Sequence, residues 1–184
     1  MGSFLGRAYL ARYGKELTGA IIMGTSSGVG WLPATAALGL IRVMSLIKGD
    51  RYRSSAVQKM VFGSYNKRLV DPATDSDWIS SDPETVKKYV ADPMCTFTFT
   101  LSGFRNLLQV LRSVSSPQWA HQVPQELPIF IVSGEEDPVG SYGRGPAKVR
   151  ERLIRAGVKD VTLKLYPEYR HEPLNEVGRE QVYE

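Results

Sequence analysis

Apolar residues recur along this chain with two different periods, and the order in which the periods alternate predicts the architecture. Phe4, Ala8 and Ala11 stand at helical spacing, Gly2 and Gly6 lie one turn apart, and Gly14 is placed to end the helix. Two glycines on one face would let such a helix lie close against a sheet. Residues 17–23, centred on Ala20-Ile21-Ile22-Met23, read as a short strand buried on both faces, as strands of a parallel sheet are. Helical patterns follow over residues 33–48, 54–69, 83–90 and 101–114, with no strand among them. Residues 127–132 form the second apolar strand, residues 146–156 a helix with Val149 and Leu153 one turn apart and Gly157 at its end, and Val161–Tyr166 an alternating strand suited to a sheet edge. A last helix begins near residue 175 and runs toward 184.

Strand, helical insertion, strand, helix, strand and helix make an α/β fold with a parallel sheet, in which working residues occupy loops at the carboxyl ends of strands. Three parts are expected: residues 1–24 and 119–184 as sheet core, and 25–118 as a helical insertion. Composition narrows the function. Twenty-three basic against nineteen acidic residues give a net charge of +4, but the charges are scattered, whereas nucleic acid binding needs a concentrated basic face. One cysteine, Cys95, makes neither an internal disulfide nor a structural zinc site and fits a reducing cytoplasm. The most apolar stretch, residues 31–47, is broken by Pro33, Gly39 and Arg42, so no transmembrane helix is expected. No secretory signal opens the chain.

Only two histidines exist, His121 and His171. His171 follows the third strand, at the presumed active edge, whereas His121 precedes a strand. A hydrolytic histidine takes a proton on one ring nitrogen while a carboxylate holds the other, and Asp137, in the loop after the second strand, can supply that carboxylate. The competing reading makes residues 134–138 a plain turn and His171 a surface residue. The nucleophile is not evident, because no complete G-x-S-x-G elbow is present. Met1-Gly2 matches the last two positions of such an elbow, which would put the serine immediately before Met1. Ser3 would fall inside the first helical turn, and Ser26 and Ser27 suit a polar loop near the substrate mouth.

These segments resemble one known family. Met1-Gly2-Ser3-Phe4 is similar to the tail of the G-H-S-M-G-S elbow of α/β-hydrolases of the monoacylglycerol lipase, lysophospholipase and serine aminopeptidase group. Gly134-Glu135-Glu136-Asp137-Pro138-Val139 resembles that group's acid-bearing G-x-x-D-P-V loop. Residues 166–176 resemble its base loop, Y-x-x-x-R-H-E-x-x-N-E, and Asp92-Pro93-Met94-Cys95 resembles, one position shorter, a D-P-x-x-C segment of bacterial members. The resemblance implies the C-terminal part of an α/β-hydrolase sheet with an inserted cap. It also implies a Ser-Asp-His triad in which Asp137 orients His171, with the backbone N–H of Met1 in the oxyanion hole. No cofactor and no metal are implied. The first half of the sheet and the serine are missing from the pattern, so this chain by itself is not expected to cleave esters.

The insertion is rich in apolar residues, among them Trp31, Leu38, Ile41, Met44, Leu46, Ile47, Phe62, Phe97, Phe99 and Phe104. Most serve helix packing, and the remainder suits a small acyl ester or lipid substrate. Arg42, Lys48, Arg51 and Arg53 suit a solvated helix face better than an anionic head group. Two other functions compete: an epoxide or haloalkane hydrolase, which needs an aspartate nucleophile, and a catalytically dead partial fold used for binding or homo-oligomerisation, which an exposed strand edge would favour.

Overall fold

The computed structural model describes residues 1–183; Glu184, the end of the expected last helix, lies outside them. Three parallel strands form the sheet: β1 (Ala20–Met23), β2 (Ile129–Gly134) and β3 (Val161–Tyr166), in that order. Ala20 is opposite Ile129, and Ile129 opposite Val161, so the carboxyl ends of all three strands open on one edge. β2 begins two residues later than its apolar run suggests, because Pro128 has no N–H to donate and offers only its carbonyl, to the Ala20 N–H. β3, at the edge, has the expected bounds and alternates in burial as far as Leu165, but Tyr166 is buried too, against Val132 and Tyr169.

Two expectations near the start of the chain are corrected. Helix α1 (Gly2–Tyr13) does not pack through its glycines: a Cβ at Gly2 or Gly6 would meet nothing within 4 Å. Its buried stripe is Phe4, Arg7 and Leu10, a three-residue repeat with a charged residue at its centre. β1 is buried on one face only, with Ile22 inside and Ile21 71% exposed. Alternation along a strand sends neighbours to opposite faces, and here only one face is covered.

Between β1 and β2 the chain forms α2 (Trp31–Lys48), α3 (Ser55–Phe62), α4 (Pro83–Ala91) and α5 (Leu101–Ser113). Ser54, Asp82 and Thr100 cap three of these helices, each side-chain oxygen accepting a backbone N–H of the first turn. α3 is half as long as its apolar pattern suggests. Gly63 ends it, and the Asn66 side chain then organises turns, accepting the Trp78 N–H and donating to Thr74 O. This helical layer has its own core of Ile41, Val57, Leu101, Phe104 and Leu108, with Phe62 and Phe99 packed against it. Trp31, Leu40, Val43, Leu46 and Ile47 are instead exposed. By length and composition alone α2 is long and apolar enough to cross a membrane, a test that core helices of globular proteins also pass. It packs against α5 through Ala34 and Ile41.

The sheet core joins Phe4 and Leu10 of α1, Ile22, Trp119, Ile129, Ile131, Val161, and Val149 and Leu153 of α6 (Arg144–Arg155). Gly157 ends α6 at φ +96°, where only glycine sits without strain. The expected C-terminal helix is replaced by a single turn at Pro173–Asn175 and a short α7 (Glu180–Tyr183). Helical periodicity yields there because the Glu176 side chain is drawn inward and Gly178 takes a φ of +80°.

Candidate active site

The loops after β2 and β3 meet at the carboxyl edge of the sheet. A short approach is required, and Gly134 supplies it: a Cβ there would overlap the carbonyl oxygens of Tyr169 and Arg170. Backbone bonds run across the same gap, Glu135 N–H to Tyr166 O and Glu136 N–H to Tyr169 O, both 2.9 Å. Asp137 is fully buried at the turn. Its Oδ1 accepts the Val139 N–H at 2.8 Å, and its Oδ2 stands 3.1 Å from Nδ1 of His171, with the Ser133 hydroxyl at 3.5 Å. With Nδ1 donating to Asp137, Nε2 is the nitrogen that can exchange a proton.

His171 is held from three further sides. Gly24, at φ +56°, lies so close that a Cβ there would be 2.9 Å from the His171 carbonyl oxygen and 3.0 Å from its ring. The Trp78 ring lies 5.2 Å from the imidazole, centre to centre. The base loop is also hydrogen-bonded to the helical layer, Glu172 N–H donating to Ile79 O at 2.9 Å. The start of the chain faces the same place. Ser3 Oγ lies 3.5 Å from Gly24 O, and the Met1 nitrogen is near enough to Asp137 to feel its charge. Asp137, His171 and Met1, singled out in the sequence, are thus brought to one region. His121 is exposed in a turn at Pro117–Gln122, and Ser26 and Ser27 sit in the loop after β1.

Several residues that support this site carried no role in the sequence reading. Glu176, almost fully buried, accepts the Arg170 N–H at 2.6 Å with one oxygen. Its other oxygen takes the Ser80 and Ser81 hydroxyls and the Ser81 N–H at 3.1, 2.5 and 2.8 Å. The Arg170 guanidinium donates to Asp77 O and Ser80 O at 2.6 and 2.9 Å. Residues on both sides of His171 therefore grip the segment 77–81. Both lie in the base-loop motif, so the signal was present; what was hidden is that their partners lie some 90 positions earlier. Tyr65 stacks edge-on against Trp78 at 4.8 Å. Burial, and then the Asp137 charge, raise its pKa above the usual phenol value.

Arg7 is the other buried group that patterning missed. It has no exposure, lies 4.4 Å over the Trp119 ring, and donates to Ser26 O at 2.7 Å and to Val114 O. Burial, with the charge of Arg152 second, lowers its pKa to about 9. Among the described residues no group of three or more metal-binding side chains gathers.

Residues 1–178 match the family described as Serine aminopeptidase, S33. The chain belongs to this family. A monoacylglycerol lipase of Mycolicibacterium smegmatis (strain ATCC 700084 / mc(2)155) is 34% identical over 108 residues, 59% of this chain and 36% of that protein. The solved structure of a highly thermostable carboxyl esterase from Bacillus coagulans, in complex with glycerol, has a TM-score of 0.84 at 32% identity, over 94% of this chain and 56% of that one. An open-form lipase has a TM-score of 0.83 at 24% identity, over 98% of this chain and 58% of that one, and speaks for the fold alone. This S33 chain therefore spans less than two thirds of the length of each of these relatives. The α/β-hydrolase fold expected from sequence is the fold observed.

Proposed function

We propose that the protein to which these residues belong is a serine ester hydrolase in which Asp137 orients His171 and His171 Nε2 takes the proton of a serine preceding Met1. The observation that carries this reading is the 3.1 Å contact between a fully buried carboxylate and an imidazole at the carboxyl edge of a parallel sheet. The serine attacks the ester carbonyl, His171 passes its proton to the leaving alcohol, and then activates water to release the acid. The buried Asp137 favours the imidazolium formed in each step, and the Met1 N–H donates to the oxyanion. No cofactor is required.

Residues 1–24 and 119–184 act as catalytic core and 25–118 as a cap over it. Trp78, Tyr65, Phe62, Phe104 and Phe99 form an aromatic series leading away from His171, each ring centre 4.8 to 6.3 Å from the next. The half-buried Trp78 and Tyr65 at its His171 end support an apolar acyl group, worth about 0.8 kcal/mol per buried methylene, while Phe104 belongs to the core of the helical layer. The test uses the full protein with a p-nitrophenyl acyl ester. His171→Ala nearly abolishes turnover, and Asp137→Asn lowers kcat by roughly 10⁴-fold, the scale known for an acid that sets the imidazole tautomer. Unchanged rates in both variants would remove the triad.

A second reading, a non-catalytic module that pairs through its sheet, is favoured by the exposed Ile21 on β1. Elution of the chain as a dimer, with no esterase activity in the full protein, supports that alternative.

A further inference from the structure

A cleft of about 670 Å³ lies where the helical segment leaves and rejoins the sheet core, and neither Asp137 nor His171 lines it. Arg112 at the end of α5 and Lys148 and Arg152 on α6 point three cations at this space, and no carboxylate lines it. Some basic side chains on the surface are paired, as Arg105 is with Asp50 and Arg155 with Glu151. None of these three does so among the described residues. Arg7, wholly buried nearby, adds a fourth positive charge close enough to Arg152 for the two to repel. A cluster of like charges with no carboxylate in the cleft lining leaves a positive potential that an anion relieves.

The opposite wall is apolar. Val29, Trp31 and Leu38 line it, and Trp31 is 64% exposed. The volume falls within the ordinary range of organic-ligand pockets and is far larger than an inorganic anion needs. Gly30 caps α2 without a side-chain acceptor and no acidic residue follows in the first turn, so the helix end adds positive potential without creating the site by itself.

We propose that this cleft binds an anionic amphiphile, its carboxylate or phosphate held by Arg112, Lys148 and Arg152 and its alkyl part lying along Trp31 and Leu38. The ligand would touch both roots of the helical segment. It would also adjoin the contact between the loop after β1 and α6, where Arg152 donates to Ser27 O at 2.8 Å and a Cβ at Gly145 would be 3.1 Å from Ser27 N. This inference stands apart from the ester hydrolase reading, because the lining includes none of that chemistry.

The test titrates the chain, followed by tryptophan fluorescence and calorimetry, with decanoate, decyl phosphate, decanol and inorganic phosphate, all below micelle formation. Decanoate, decyl phosphate or both are expected to bind, with the Trp31 signal lost in Trp31→Phe while calorimetric binding persists. The double variant Arg112→Gln/Lys148→Gln, both exposed positions whose exchange leaves the circular dichroism unchanged, should weaken binding by about tenfold or more. Binding of only one decyl anion identifies the headgroup and supports the site. Equal binding of decanol overturns the anionic half, and equal binding of inorganic phosphate, an adventitious ion only, overturns the amphiphile. Affinity unchanged in the double variant, or no binding at all, overturns the whole proposal.

Discussion

Glu176 accepts the backbone N–H of Arg170 at 2.6 Å, and so fixes the peptide that delivers His171. The same carboxylate holds Ser80 and Ser81, which belong to the helical segment, so one buried anion ties the base loop to the segment 77–81. The motif over residues 166–176 includes Glu176 but does not name its partners. The tie exists only because two stretches about 95 positions apart are folded together.

Replacing Glu176 by Ala leaves several donors unsatisfied inside the protein. Bonds to a charged acceptor contribute about 1.5–3 kcal/mol each, and they are not additive. Glu176→Ala is expected to lower unfolding stability by about 3 kcal/mol, read from the urea midpoint at constant slope. A midpoint equal to the parent's would mean that the network carries no stability.

Gly134→Ala tests the closeness of the two loops. The added methyl would collide with carbonyl oxygens of the Tyr169–Arg170 backbone, which cannot rotate away as a side chain would. A loss of about 3 kcal/mol or more, or failure to accumulate folded protein, is the expected outcome. Gly2→Ala is the control: a Cβ there meets nothing within 4 Å and should leave the thermal midpoint nearly unchanged.

Tyr65 gives a pH dependence. Burial and the Asp137 charge both disfavour its phenolate, so its folded pKa lies above the unfolded value near 10. The stability it contributes is therefore fully present below about pH 10 and is lost as pH rises through the folded value. Absorbance at 295 nm (roughly the phenolate band) should show one late-ionising group missing in Tyr65→Phe. Asp137→Asn should bring that ionisation down only part of the way, because burial is the larger cause.

Arg7 joins Ser26 O to Val114 O, one on each side of the helical segment, while lying over Trp119. Lysine has a single ammonium and no planar face, so Arg7→Lys cannot reproduce both contacts and should destabilise by about 2 kcal/mol. Limited proteolysis should then cut faster near residues 27–30 and 115–117. Equal rates for the two proteins would show that Arg7 does not hold these roots.

By itself the sequence determined the order of strands and helices and the parallel sheet, and it singled out Asp137 and His171, which the fold brings to 3.1 Å of each other. Those follow from residue period, from turn chemistry and from there being only two histidines. It misread α1, β1 and the chain's last helix, because periodicity reports which residues could be buried and not which face meets a neighbour. Ile21 and Ile22 are chemically alike, yet one is 71% exposed and the other 3%. Only tertiary structure could put Trp78 against His171, Glu176 beneath Arg170 and an arginine in the core. Each of these depends on partners distant in the chain, and a polar group is stable in the interior only once the fold has supplied its hydrogen bonds.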